Sequence, residues 1–330
     1  MQPAPQPMVL VPMMPFWQPP PSPQLGLIPG DGSPRWDVAF EALWLERDSP
    51  CVRLGTTNYN FASHAPHAMH TDSLWSDDAE SELAPGARVQ LIARITDTMA
   101  IEASGWGLQQ WSVGRTVYGD TAGQTVLGES SWLQTSALIG GFDDSLGYTY
   151  ESQVANAEIN QRFKLFSFDP YRALSWMWGV RYFYLSDDFT LSGSSLLKNA
   201  YEDLSWHTKN NLIGMQLGLQ WAWGWDRFQL GTEVKLGLFA NTYSQHGTDF
   251  GSGAAGFQPF DVSRSDTDLS VLFELSILAK FRVTNCMWLR AGYQYYCASG
   301  LALGPRQLAG YDDRGSAQLD GLSVGLEFIH

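Results

Sequence analysis

Three groups of residues in this chain carry chemistry by type and spacing. His64, His67 and His70 recur at every third position, and Asp72, Asp77, Asp78, Glu80 and Glu82 follow in the same segment. Imidazole and carboxylate together suit zinc, copper or nickel. Pro66 and the intervening alanines oppose a helix that would align the rings, so a solvated polar loop is the preferred reading and a metal site the alternative. Asp187, Asp188, Asp203 and His207 form a second group that could activate water for hydrolysis, although the same residue types are common in polar loops. A third group comprises Glu102, Glu158, Arg162, Arg181, Glu233, Lys235, Glu274, Lys280 and Arg290. Each lies at an alternate position of a long half-apolar segment. There is no HExxH, Walker loop or paired CxxC, so the expectation is a non-enzymatic chain without a cofactor.

The segment that must position the third group is clearest at residues 213–225. Ile213, Met215, Leu217, Leu219, Trp221, Trp223 and Trp225 alternate with Gly214, Gln216, Gly218, Gln220, Ala222 and Gly224. A strand sends successive side chains to opposite faces, so one face is apolar and the other polar and small. Its length exceeds the roughly 9–11 residues a tilted strand needs to cross a bilayer. Trp221, Trp223 and Trp225 read as an interfacial aromatic girdle. Phe228–Ala240 repeats the alternation. With Asp226-Arg227 as the turn, Leu217 faces Leu236, Gln220 faces Glu233 and Gly218 faces Lys235, so both faces agree across the hairpin.

Ten such strands are expected, at Trp36–Arg47, Ala87–Ile95, Thr98–Trp111, Leu146–Leu165, Trp176–Leu185, Ile213–Trp225, Phe228–Ala240, Thr267–Val283, Met287–Ser299 and Leu319–Ile329. Their connections alternate. Asp97, Ser167–Ser175, Asp226-Arg227 and Thr284–Cys286 are short, whereas Asp48–Gly86, Ser112–Ser145, Ser186–Leu204, Tyr243–Asp266 and Gly300–Gln318 are long. An even strand count, with short turns on one side and long loops on the other, predicts an all-β, closed antiparallel transmembrane β-barrel with periplasmic turns and extracellular loops. Trp132–Ile139 could form half of an extra hairpin and raise the count to twelve.

Composition agrees. The 330 residues contain 44% hydrophobic and 13% aromatic residues, yet no apolar run is long enough for a membrane helix. The net charge of −14 excludes a nucleic-acid binder. The first 35 residues hold 11 of the 17 prolines and no Lys or Arg before Arg35. They read as a proline-rich disordered tail, leaving 36–330 as the barrel. No export signal is visible in the tail, and the expectation is that one was removed or omitted. Cys51, Cys286 and Cys297 are too few for a disulfide framework. Cys286 and Cys297 sit at opposite ends of one strand, and a Cys51–Cys297 bridge at the outer rim stays open.

The runs Tyr150–Phe163 (YESQVANAEINQRF), Gly179–Phe189 (GVRYFYLSDDF), Asn210–Gln220, Lys235–Asn241, Leu289–Leu308 and Asp320–His330 (DGLSVGLEFIH), in that order, resemble the beta-barrel porin-7 family over Trp36–His330. The resemblance implies a bacterial outer-membrane barrel, with outer-membrane lipid and the barrel-assembly machinery as partners and no catalytic residues. One departure is the C-terminus, where Phe328 is third from last and His330 ends the chain.

The functional expectation is passive permeation or a structural role in the envelope. The alternatives are a surface adhesin or ligand-binding barrel acting through its long loops, and an outer-membrane hydrolase. Mixed-sign charges in a ten-strand lumen favour ion pairs that fill a narrow barrel over a selectivity ring of one sign.

Overall fold

The computed structural model describes residues 35–59, 70–77, 82–96, 98–118, 125–128, 145–169, 172–195, 199–225, 227–252, 259–310, 312 and 314–330. They form β1 (Arg35–Arg47), β2 (Arg53–Tyr59), β3 (His70–Trp75), β4 (Ala84–Arg94), β5 (Met99–Tyr118), β6 (Thr125–Gly128), β7 (Ser145–Asp169), β8 (Arg172–Ser195), β9 (Ala200–Gly224), β10 (Phe228–Ser252), β11 (Phe260–Arg282), β12 (Met287–Leu301) and β13 (Gly315–Ile329). Ten strands close into an antiparallel barrel in the order β1-β13-β12-β11-β10-β9-β8-β7-β5-β4. The seam between β1 and β13 runs from Asp37↔Ile329 to Arg47↔Leu319.

The β9–β10 hairpin has the register its alternation dictates, with Leu217↔Leu236, Gln220↔Glu233 and Gly218↔Lys235. The Trp225 amide donates to the Phe228 carbonyl at 2.7 Å across the turn. Around the barrel, Phe40, Val89, Ile101, Ile159, Val180, Leu217, Leu236, Ile277, Leu289 and Val324 point outward and exposed, one from each strand. Soluble proteins do not leave so continuous an apolar belt open to water. It is the lipid face of a transmembrane barrel.

Several strands outrun their expected limits. β7 continues to Asp169 and β8 begins at Arg172, so the connection expected over Ser167–Ser175 shrinks to residues 170–171. β9 and β10 each reach 25 residues. Beyond Ala240 the outward positions become Thr242, Ser244, His246 and Thr248. The apolar alternation therefore stops at the edge of the lipid, while the backbone ladder continues into water. Three further strands, in the order β3-β2-β6, form a small separate sheet within the first and second long connections. Trp132–Ile139 and residues 1–34 lie outside the described residues. Cys51, Cys286 and Cys297 are not joined by disulfides, so the Cys51–Cys297 bridge does not form.

The rim is uneven. β1, β4, β12 and β13 have 11–15 residues, whereas β7–β11 have 23–25 and stand as a tall wall. The concave side of that wall carries a second apolar core of Tyr148, Phe189, Leu191, Leu204 and Trp206, covered by Leu54 and Leu74 from the small sheet and by Leu308.

Candidate functional site

The lumen is layered. Its periplasmic half is a charged vestibule enclosing a cavity of about 180 Å³. Glu158 lies opposite Arg181 across β7–β8, and Lys235 opposite Glu274 across β10–β11. Glu158 accepts from Arg181 Nε at 3.0 Å, Lys235 Nζ at 2.8 Å, Gln216 Nε2 at 2.7 Å and Ser104 Oγ at 2.9 Å. Arg162 spans Glu102 (Nε, 2.6 Å), Gln220 (2.9 Å) and Glu233 (2.7 Å). Lys235 reaches Glu233 at 2.9 Å, and Arg181 also pairs with Glu274.

A second network lines the opposite wall. Arg290 contacts Glu41 at 2.8 Å and Glu327 at 3.1 Å, and Lys280 reaches Glu327 at 2.6 Å. Arg290 and Glu41 both face Gly325 across the ladders on either side of β13. A Cβ at Gly325 would meet Glu41 Cγ at 2.7 Å and the Phe40 carbonyl at 2.1 Å, so glycine is what lets β1 approach so closely. Arg94 pairs with Asp37. A charge withdrawn from water is costly without a partner of opposite sign, and these groups supply opposite charges for one another.

Above the vestibule the lumen turns apolar. Leu43, Phe183, Leu212, Phe239, Leu272 and Trp106 are buried together. The Trp106 ring lies 4.9 Å from that of Tyr296 and 6.3 Å from that of Phe183. Leu301, which ends β12, and Leu303 just after it complete this belt.

The segment between β12 and β13 does not extend into solvent. It turns at Gly300 (φ +79°), enters the lumen and forms a 3-10 helix at Pro305–Ala309. A left-handed φ at that corner is natural for glycine. Wall amides hold the segment. Asn210 Nδ2 donates to the Ala302 carbonyl, while Asn241 and Ser270 donate to the Gly300 carbonyl at 3.0 and 2.6 Å. Beside it lies a buried polar knot. Arg47 binds Asp187 through both terminal nitrogens at 2.6 and 3.2 Å, and Tyr150 and Ser152 donate to the same carboxylate at 2.9 and 3.0 Å.

All nine charges singled out in the sequence reach the lumen. Arg181 stands behind the cavity and the other eight line it. Asp37, Glu41, Arg88, Arg94, Glu327 and Arg47 share the inward parity in β1, β4 and β13 and were not singled out, although their alternation was readable. Trp221, Trp223 and Trp225 alternate on the outer face at the periplasmic end of β9, with the first two rings 5.6 Å apart. The hydrolase quartet is split by the wall. Asp187 faces inward and is fully buried, whereas Asp188 and His207 pair on the outer face. His64 and His67 lie outside the described residues. His70 opens β3, where its side chain is not described. Among the described residues no group of three or more His, Cys, Asp or Glu side chains is arranged to hold a metal.

No family model matches the chain, and no curated protein sequence is similar to it. Among solved structures, the outer-membrane protease OmpT of Escherichia coli is similar with a TM-score of 0.51, over 90% of this chain and 96% of that one, at 11% identity. The translocator domain of autotransporter NalP from Neisseria meningitidis aligns over 89% of this chain and 88% of that one, with a TM-score of 0.37 and 10% identity. By fold, the chain is an outer-membrane β-barrel. At these identities the likeness shows the fold alone.

Proposed function

We propose that this protein is a bacterial outer-membrane barrel, akin to the beta-barrel porin-7 family, that serves the envelope structurally and without enzymatic activity, its lumen being closed to solutes. It would reside in outer-membrane lipid, placed there by the barrel-assembly machinery. The observation that carries the reading is the apolar layer of Trp106, Phe183, Phe239 and Tyr296, completed by Leu301 and Leu303. Side chains fill barrels of about eight strands, and sixteen or more leave a channel. A ten-strand barrel with an inserted segment belongs at the filled end, which favours a structural role over passive permeation. Planar-bilayer recording on refolded protein tests it. The expected result is no steady conductance and no uptake of sugars into liposomes. Stable nanosiemens-scale pores would overturn the reading.

The tall polar wall and the small sheet over its second core favour one other reading, surface attachment through the extracellular extension. Binding of cells displaying the barrel to a matrix, lost when 48–83 is replaced by a short linker in a barrel that still folds, would support it over a purely structural role.

A further inference from the structure

We infer that the outer wall carries a transition-metal site made by a cross-strand pair of imidazoles, His207 and His246. His207 on β9 and His246 on β10 are direct partners in the ladder. Directly opposed residues on one face of an antiparallel pair have Cβ atoms about 4.5–5.5 Å apart, a separation from which two imidazoles can converge on one ion. Both rings are accessible, with side chains 34% and 47% exposed.

What lies beyond each ring adds the second observation. Asp188 on β8 is the ladder partner of His207, and its Oδ1 binds His207 Nδ1. On the far side, His246 Nδ1 sits 2.8 Å from Ser263 Oγ and 3.6 Å from Asp261 Oδ1, both on β11. The row therefore reads carboxylate, imidazole, imidazole, hydroxyl and carboxylate across four strands. The Asp188 carboxylate, which only accepts, places the proton of His207 on Nδ1 and leaves its Nε2 lone pair free, and Ser263 Oγ can accept from His246 Nδ1 in the same way. A carboxylate behind the ligating ring is the usual companion of a histidine metal ligand, since it fixes the tautomer and raises the basicity of the other nitrogen. Asp188, Asp203 and Asp261 outnumber Lys209 on this part of the face, so the local field favours a cation.

The chemistry selects the ion. Imidazole pairs suit Cu²⁺, Zn²⁺ and Ni²⁺, whereas Ca²⁺ and Mg²⁺ require oxygen ligands. Two protein ligands leave the remaining positions to water or to a donor from another molecule. His246 lies six residues beyond Ala240, roughly 20 Å along the strand from where the continuous apolar alternation ends. The site thus stands in water above the lipid, clear of the vestibule and belt.

The test uses the full chain, refolded in detergent without an affinity tag, with Cu²⁺ or Zn²⁺ alone as probe. One Cu²⁺ per chain is expected, with an electron paramagnetic resonance spectrum showing two nitrogen ligands. His207→Ala and His246→Ala should each weaken binding at least tenfold, and Asp188→Asn about 10–100-fold. The triple variant His64→Ala, His67→Ala, His70→Ala should leave this ion in place. All the altered side chains of the row are exposed, and retained heat-dependent gel mobility identifies folded variants. The inference is overturned if the parent binds no Cu²⁺, if either single histidine variant binds it as tightly as the parent, or if the triple variant abolishes it.

Discussion

Asn210 and Ala302 exchange two hydrogen bonds across the lumen. Asn210 Nδ2 donates to the Ala302 carbonyl at 2.7 Å, and the Ala302 amide donates to Asn210 Oδ1 at 2.8 Å. The side-chain amide thus acts as a one-residue strand partner for a segment that has none. Replacing Asn210 with Leu leaves both backbone groups of Ala302 buried without a partner, a cost of about 2–4 kcal/mol to the seating of the segment. Limited proteolysis of the folded barrel is expected to cut within 300–314 in the variant and not in the parent.

The lipid belt and the polar wall share strands, so the same chemical change should have opposite consequences along one of them. Leu219→Arg, facing lipid, is expected to cost about 2–4 kcal/mol of barrel stability. Thr248→Arg, on the same outer face but beyond Ala240, should leave stability nearly unchanged. Urea unfolding in lipid vesicles measures both. Equal losses would move the upper edge of the membrane past β10 residue 248.

Glu158 and Glu274 each pair with both Arg181 and Lys235, and Glu158 makes the closer contact with Lys235, 2.8 Å against 3.5 Å. Glu158→Gln leaves two buried cations sharing Glu274 and Glu233, with an expected loss of about 3–5 kcal/mol. The double variant Glu158→Gln, Lys235→Met should recover much of that loss, because it removes one stranded charge along with its partner. Thermal unfolding of the refolded proteins resolves the difference.

Asp249 faces inward near the top of β10, above the membrane. Burial pushes its carboxyl up to about 6, opposed by a hydrogen bond with Glu202 and reinforced by the charge of Asp203. A carboxyl with a raised folded-state value binds its proton more tightly folded than unfolded. The upper wall should therefore gain protection as pH falls from 7 through 6 towards 4, and lose it as pH rises. Asp249→Asn should flatten that dependence and raise protection at pH 7.5. Hydrogen exchange of 200–206 and 246–252 is the measurement.

Much of the barrel was legible because alternation fixes both face and register. Leu217 against Leu236 and Gln220 against Glu233 follow from parity alone. The apolar belt was harder to read. Phe183 lies between Tyr182 and Tyr184, and Phe239 between Leu238 and Ala240. Where both faces of a strand are apolar the alternation disappears, and an inward aromatic looks like one more residue of the lipid face. The inserted segment was hidden for a different reason. Pro305, Gly304 and Gly310 mark a loop, but its direction is set by Asn210, Asn241 and Asp187, which are remote in sequence. The small sheet was missed because β2, β3 and β6 are too short and polar to show a period.

The strand that seals the wall and the segment that fills the lumen are neighbours in the chain. β13, which closes the ring against β1, begins just after the segment that turns inward at Gly300. Occlusion and closure therefore depend on the same last thirty residues. This couples the order of assembly to the finished state. Until those residues arrive the molecule is an open sheet with its charged rows accessible, and once they are placed the wall and its stopper are completed together. An empty, sealed cylinder is not an obligatory stage on the way to the folded protein.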